Sequence, residues 1–373
     1  MIAFERHLPR VRVPWVPLGN WPTPLTPLDL PGDPPEGLAG GRVWVKHEGD
    51  AHPDYGGNKV RTLEVWFGHA QSTGARRIWA IGAYGSNHAV ATAVHAHRAG
   101  LEPAAIVFPQ PHSEWAAENC SALVAAGCPL IRLGSVVGVP LAAWRVARRE
   151  RGAVVMPPGG ATPIGTLGAV AAALELAEQV AAGLAPPPRR IVLAIGSTCT
   201  TAGLLAGLQL ARAIGLWRWP LPIVHGVRAT PWPVTSRVRT AELARRTLAR
   251  IERLGGPRVD AGLAQLVRGL EIDGRELGWG YGRTTPRCDA AMRAMHEPAG
   301  PRLDAVYSGK AAAALLRLQR AGVGPLVFWA TKSTARMAPV SGEALQRVLQ
   351  NAPAAIARWL GRPGEPARQR SSD

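Results

Sequence analysis

Lysine occurs at only four positions in this 373-residue chain, Lys46, Lys59, Lys310 and Lys332, although Lys and Arg together number 43. Arginine therefore supplies almost all of the positive charge. A lysine kept in the glycine-rich stretch Gly56-Gly57-Asn58-Lys59-Val60-Arg61-Thr62-Leu63-Glu64 invites a chemical reading. An amine can attack a carbonyl, and a guanidinium at neutral pH cannot. Two other stretches have the composition of anion sites. Gly85-Ser86-Asn87-His88 and Gly196-Ser197-Thr198-Cys199-Thr200-Thr201-Ala202-Gly203 each follow a short apolar run and precede a helical pattern. A strand that turns at once into a helix presents free amide N–H groups and the positive end of the helix dipole. Neither stretch is a Walker A loop or a GxGxxG fingerprint, and both would also serve as plain N-caps.

The elements that must position these residues follow from periodicity. Strands are predicted at 43–47, 77–81, 104–108, 130–133, 154–156, 191–195, 223–227 and 325–330. Helices are predicted at 58–72, 87–98, 114–126, 140–151 and 164–182, from the Gly196 loop to about 214, and at 237–253, with another ending at 320. This alternation is that of βαβ units, and so of a mainly parallel α/β fold. The 164–182 helix reads as amphipathic. Residues 1–40 are proline-rich and poorly periodic, and the polar stretch 362–373 reads as a disordered tail.

Composition narrows the function classes. Hydrophobic content of 47% with 18% charged residues suits a globular protein, and the longest apolar helix, near 170–184, is interrupted by Glu175, Glu178 and Gln179, which excludes it as a membrane span. A net charge of +17 raises nucleic acid as a partner, but the arginines are dispersed along the chain instead of forming a stripe, which disfavours it. Cys120, Cys128, Cys199 and Cys288 lack CxxC spacing, so reduced thiols, no metal site and a cytoplasmic setting are expected. A carboxylate at one helix start, a phosphate at the other and a carbonyl within reach of Lys59 describe pyridoxal phosphate with a small amino acid.

The Gly-Gly-Asn-Lys-x-Arg-x-Leu-Glu run at Lys59, Ser86-Asn87-His88, Pro158-Gly159-Gly160 through Gly165 and Gly168, the Gly196–Gly203 loop, Tyr281-Gly282 and Tyr307-Ser308-Gly309-Lys310 occur in this order. Together, over roughly 23–334, they resemble the fold-type II pyridoxal-phosphate enzymes of the aminocyclopropane-carboxylate deaminase and D-cysteine desulfhydrase family. The resemblance implies two three-layer α/β domains like those of the tryptophan synthase β chain. One would combine 1–60 with 171–361, and the smaller, 61–170, would be inserted. It also implies a homodimer.

Residue by residue, it implies that Lys59 holds pyridoxal 5'-phosphate as a Schiff base and acts as the base at Cα. Asn58 and Asn87 would contact the cofactor ring, Asn87 on its O3′ side. Gly196, Ser197, Thr198, Cys199, Thr200 and Thr201 would take the phosphate. Ser86, with Asn87 and His88 beside it, would bind the substrate carboxylate, and Tyr281 and Tyr307 would flank the substrate.

Some residues depart from the family pattern. Thr198 and Cys199 stand where two glycines are usual, so the loop is expected to avoid positive φ there. Ser308 replaces an acidic residue near the pyridine nitrogen, with Thr331 as another partner for that nitrogen. Lys332 stands in a segment where the family has His-Thr-Gly-Gly. The Ser308 exchange favours Cα proton abstraction with β-elimination, as in D-cysteine desulfhydrase, over aminocyclopropane-carboxylate deamination. A non-catalytic cofactor binder or a basic nucleic-acid-binding protein is the alternative of another class.

Overall fold

A computed structural model describes residues 1–30, 42–296, 300–337 and 342–361; the expected tail at 362–373 lies outside them. In chain order, α1 (Ile2–His7), β1 (Leu25–Leu28) and β2 (Val43–Lys46) lead to α2 (Lys59–Ser72). Next come β3 (Arg77–Ala83), α3 (Asn87–His95), β4 (Glu102–Phe108), α4 (Glu114–Ala125), β5 (Leu130–Arg132), α5 (Val139–Arg149) and β6 (Ala153–Val155). They are followed by α6 (Leu167–Ala181), β7 (Arg190–Ile195), α7 (Cys199–Ala213), β8 (Ile223–Arg228), α8 (Arg237–Arg253), α9 (Leu263–Arg268) and β9 (Leu270–Asp273). The last elements are α10 (Pro286–His296), α11 (Ser308–Arg320), β10 (Leu326–Trp329), α12 (Gly342–Asn351) and α13 (Ala354–Leu360).

The strands form two sheets. One runs β1-β2-β10-β7-β8-β9, parallel except for the β1 edge, and the other runs β5-β4-β3-β6 and is wholly parallel. Side chains alternate across each strand. On β7, Ile191 and Leu193 enter the core that holds α6, α7 and α8, while Val192 enters the core of α10 and α11. On β3, Ile78 and Ala80 join the core under α2, α3 and α4, while Trp79 and Ile81 face α5. Both sheets are therefore covered on both faces, as parallel sheets require. The fold is α/β with mainly parallel, three-layer units.

Three expectations need correction. The 164–182 segment is not amphipathic: α6 is buried around nearly its whole circumference, because it lies inside the packing of α1, α2 and α7. Its neighbour approaches closely, since a Cβ at Gly203 or Gly207 would stand 2.4 or 2.6 Å from the methyl of Ala169 or Ala173. The proline-rich N-terminal region contains α1 and the edge strand β1, where Pro27 is tolerated. Strand β9, helices α9 and α10, and the C-terminal helices α12 and α13 are further elements that the sequence reading did not include.

Glu175, which interrupts α6, is buried against two cations. It accepts from Lys46 Nζ and from Arg61 Nη1 and Nη2 at 3.2 and 2.9 Å, and Arg61 also pairs with Glu48 at 2.7 and 2.8 Å. Glu64 accepts from the Met1 amine at 3.0 Å, from the Leu18 and Gly19 amides and from Trp21 Nε1. Arg61 and Glu64, conspicuous in the Lys59 motif, are thus scaffold that fixes α2 and its first residue, Lys59.

Candidate active site

The glycines before Lys59 are set by close approaches. A Cβ at Gly56 would stand 2.0 Å from Gly49 O, and one at Gly57, where φ is +94°, would stand 2.7 Å from Thr331 O. The loop is stitched to the segment after β10 by Gly56 N donating to Ser333 Oγ (2.9 Å) and Asn58 N to Thr331 O (3.3 Å). Lys59 then opens α2.

Lys46, Lys310 and Lys332 are buried and Lys59 is half-buried, and their bonding separates them. Lys46 Nζ donates to Thr23 O (2.7 Å), Gln179 Oε1 (2.9 Å) and Glu175. Lys310 Nζ donates to Leu277 O (2.7 Å), and Lys332 Nζ to Asn87 Oδ1 (3.2 Å). Lys59 Nζ makes no hydrogen bond among the described residues. Burial pushes its pKa down, with only a partial counter-effect from the Cys199 thiol. An unbonded, desolvated amine is the form of lysine suited to nucleophilic and base chemistry.

The second component is the loop between β7 and α7. Gly196 must lack a side chain, because a Cβ there would stand 2.9 Å from Tyr307 Cε1. Ser197 Oγ packs against Gly159, whose absent Cβ would lie 2.1 Å from that oxygen and 3.7 Å from Lys59 Nζ. Thr198, the N-cap, has φ +75° and forms no side-chain cap bond. The expectation of a negative φ at this position was wrong: the left-handed turn that glycine usually serves is kept with a β-branched residue in it. That conformation costs an L-residue roughly 1–2 kcal/mol. Thr198→Gly is therefore expected to raise stability by about 0.5–1 kcal/mol after the entropy penalty of glycine, read from denaturant unfolding. A loss of stability would show that threonine is unstrained there.

Cys199 is buried, and its thiol lies near Gly160 O (3.6 Å) and Thr62 Oγ1 (3.8 Å), so only its backbone can serve a ligand at the loop. Burial pushes the thiol pKa up. Thr200 Oγ1 accepts from Asn58 Nδ2 at 2.8 Å, tying the phosphate-type loop to the Lys59 loop. The first-turn amides of α7, including those of Thr200 and Thr201, have no capping side chain. They fit a phosphate.

At the start of α3, Ser86 Oγ accepts from Ala89 N (3.3 Å), so it is a true N-cap whose own proton remains free to donate. His88 is buried, and neither ring nitrogen has a partner. Burial, helped by Lys59, pulls its pKa down to about 3, so it is neutral at physiological pH. Asn87 Oδ1 accepts from Tyr55 Oη (2.8 Å), Asn119 Nδ2 (2.9 Å) and Lys332. Tyr281 and Tyr307 hydroxyls lie 2.8 Å apart with their rings edge to face. Burial pushes Tyr281 up to about 12 and Tyr307 well above its ordinary value, so both are protonated donors at neutral pH.

Ser308, expected near the cofactor's ring nitrogen, is engaged with Asp304. Its hydroxyl accepts from Asp304 N (2.7 Å) and donates to Asp304 Oδ2 (3.0 Å), so its proton is already committed. The Thr331 side chain has no hydrogen-bond partner among the described residues and remains available. Asp304, which sequence reasoning missed, also accepts from the Val306 and Tyr307 amides at 2.9 and 2.8 Å, and so orients the second tyrosine. An acidic residue just before a helix start could have flagged it. Tyr55, adjacent to the Lys59 glycines, and Asn119, a buried amide on α4, were also missed. A small cavity is bounded by Asn87, Asn119, Trp115, Asp304, Tyr307 and Lys332. Among the described residues, no cluster of His, Cys, Asp and Glu is placed to hold a metal, and no helix is long and apolar enough to cross a membrane.

The family described as "Pyridoxal-phosphate dependent enzyme" matches residues 16–326. The nocardicin C-9' epimerase of Nocardia uniformis subsp. tsuyamanensis is 36% identical over 342 residues, covering 88% of this chain and 96% of the relative. The D-cysteine desulfhydrase of Klebsiella pneumoniae subsp. pneumoniae is 28% identical over 331 residues, covering 82% and 88%. Among solved structures, an ACC deaminase homologue superposes with a TM-score of 0.69 at 26% identity, covering 94% of this chain and 100% of that one.

Proposed function

The chain belongs to the family of pyridoxal-phosphate-dependent enzymes, and from that premise we propose that it removes the Cα proton of a small amino acid and expels its β-substituent. With D-cysteine and water, the products would be pyruvate, ammonia and hydrogen sulfide. The observation that carries the reading is Lys59 Nζ, which among the described residues is the lysine amine with no hydrogen bond, beside an uncapped helix start.

The residues present fit the cofactor. Lys59 would hold it covalently through its amine. The α7 amides, with Ser197, Thr200 and Thr201, would hold its phosphate. Asn87 and Asn58 would meet its ring, and Thr331 its ring nitrogen. When bound, the cofactor supplies an electron sink for the charge left at Cα.

This chain's own groups do the rest. Ser86 and the amides that follow it hold the substrate carboxylate. Lys59 Nζ, kept below its ordinary pKa by burial, takes the Cα proton. One phenol of the Tyr281–Tyr307 pair donates to the other, which leaves one O–H to protonate the departing group. Neutral His88 lines the base without competing for its proton. Substrate would enter between a unit formed by 1–60 with 171–361 and an inserted unit of 61–170. The reading takes the enzyme as a cytoplasmic homodimer.

A second outcome, epimerisation at Cα, is favoured by the 36% identity to an epimerase. Both reactions begin with the same proton removal and differ in whether Cα is reprotonated. Incubation with D-cysteine, L-cysteine, D-serine and aminocyclopropane carboxylate in deuterated water separates them. Keto-acid release is expected. Inverted, α-deuterated amino acid without keto acid would replace elimination by epimerisation, and no change in any substrate would overturn both.

A further inference from the structure

The orientation of the Asn87 carboxamide is decided by its neighbours. Lys332 Nζ can only donate, so the Asn87 atom 3.2 Å from it is the oxygen. Asn119 gives the same answer: its Nδ2 is fixed by the Gly85 carbonyl (3.0 Å) and also lies 2.9 Å from that Asn87 atom. Tyr55 Oη has one proton and two acceptors, Asn87 Oδ1 at 2.8 Å and Asn119 Oδ1 at 3.3 Å, so its donation to Asn87 is shared. Asn87 Oδ1 thus has three donors around it, while Asn87 Nδ2 has no acceptor among the described residues. Tyr55, Asn119 and Lys332 are all buried, Lys332 to 4% exposure.

We propose that Lys332 is a positioning residue that locks and polarises the Asn87 carboxamide, so that Nδ2 stands as a committed donor to an anionic oxygen of the bound cofactor. A cation on the amide oxygen draws electron density from the nitrogen and strengthens its N–H donation, and the low dielectric around it keeps this effect large. Burial lowers the Lys332 pKa and Arg302 adds to that, while Asp304 and Glu118 act in the other direction and favour the ammonium. Asp304 balances the cation, and at the same time fixes Tyr307 through its amide. A glycine at 332 would leave the amide to Asn119 and a shared Tyr55 proton.

The inference rests on the cofactor reading above, and its test distinguishes the two. The chain, freed of cofactor, is titrated with pyridoxal phosphate while protein fluorescence and visible absorbance are followed, in four forms: wild type, Lys332→Met, Asn87→Ala and the double variant. Lys332→Met is expected to weaken binding at least about tenfold in the wild-type background, the size of one charge-assisted hydrogen bond. It should have no further effect once Asn87 is alanine, because the lysine acts through that amide. Lys332→Gln, which retains a donor but not the charge, should restore only part of the affinity. Equal losses in both backgrounds, or no loss in either, would overturn the proposal. Wild-type chain that binds no cofactor would instead remove the functional reading and this inference with it.

Discussion

Lys59→Ala is expected to lower turnover by at least about 10²–10⁴-fold and to abolish covalent attachment of the cofactor, while leaving the fold intact. The loss should be that large because no other lysine can substitute. Lys46 is held by Glu175, Gln179 and Thr23 O, Lys310 by Leu277 O, and Lys332 by Asn87. The fold should survive because Lys59 Nζ has no hydrogen-bonded partner among the described residues to strand. Removing a desolvated amine also relieves a burial cost, so the melting temperature should hold or rise. Steady-state rates and a thermal melt of the same preparation measure both. A variant that turns over at the wild-type rate would sink the assignment of the base.

Glu175→Ala should produce the opposite pattern, a large loss of stability, about 3–5 kcal/mol, at a residue outside the chemistry. It would strand Lys46 and Arg61 in the interior with one carboxylate fewer between them. Burial alone would push the Glu175 pKa up, but the two cations outweigh it and bring the group down to about 2 from an ordinary 4.5. A carboxylate depressed on folding contributes stability that is present above its unfolded pKa and lost as pH falls through its folded value. The contribution should therefore be full at neutral pH and fade between about pH 4.5 and 2. Denaturant midpoints of wild type and variant across that range test this, with the exposed Glu242–Arg245 pair as the control whose loss should go unnoticed. A variant as stable as wild type at pH 7 would contradict the account of the network.

Much of this was legible in the sequence, because it is local. The βαβ alternation, the scarce lysine behind two glycines and the helix starts at Ser86 and Cys199 are short-range patterns of hydropathy and turn chemistry. What was not legible is the pairing of distant segments. Asp304 claims the proton of Ser308, and Tyr55, Asn119 and Lys332 converge on one amide oxygen from three separate stretches of chain. Arg61 and Glu64 carried the look of a functional motif, yet they hold α2 in place. Thr198 shows a tertiary override of a local rule, since the demands of the loop place threonine in a conformation that its own sterics disfavour.

The central claim is that Lys59, and no other lysine, carries the cofactor. Borohydride reduction of the protein with bound pyridoxal phosphate traps the linkage as a stable secondary amine, and peptide mass mapping locates it. The account predicts the adduct on Lys59 alone; an adduct on Lys332, Lys46 or Lys310, or none at all, would contradict it.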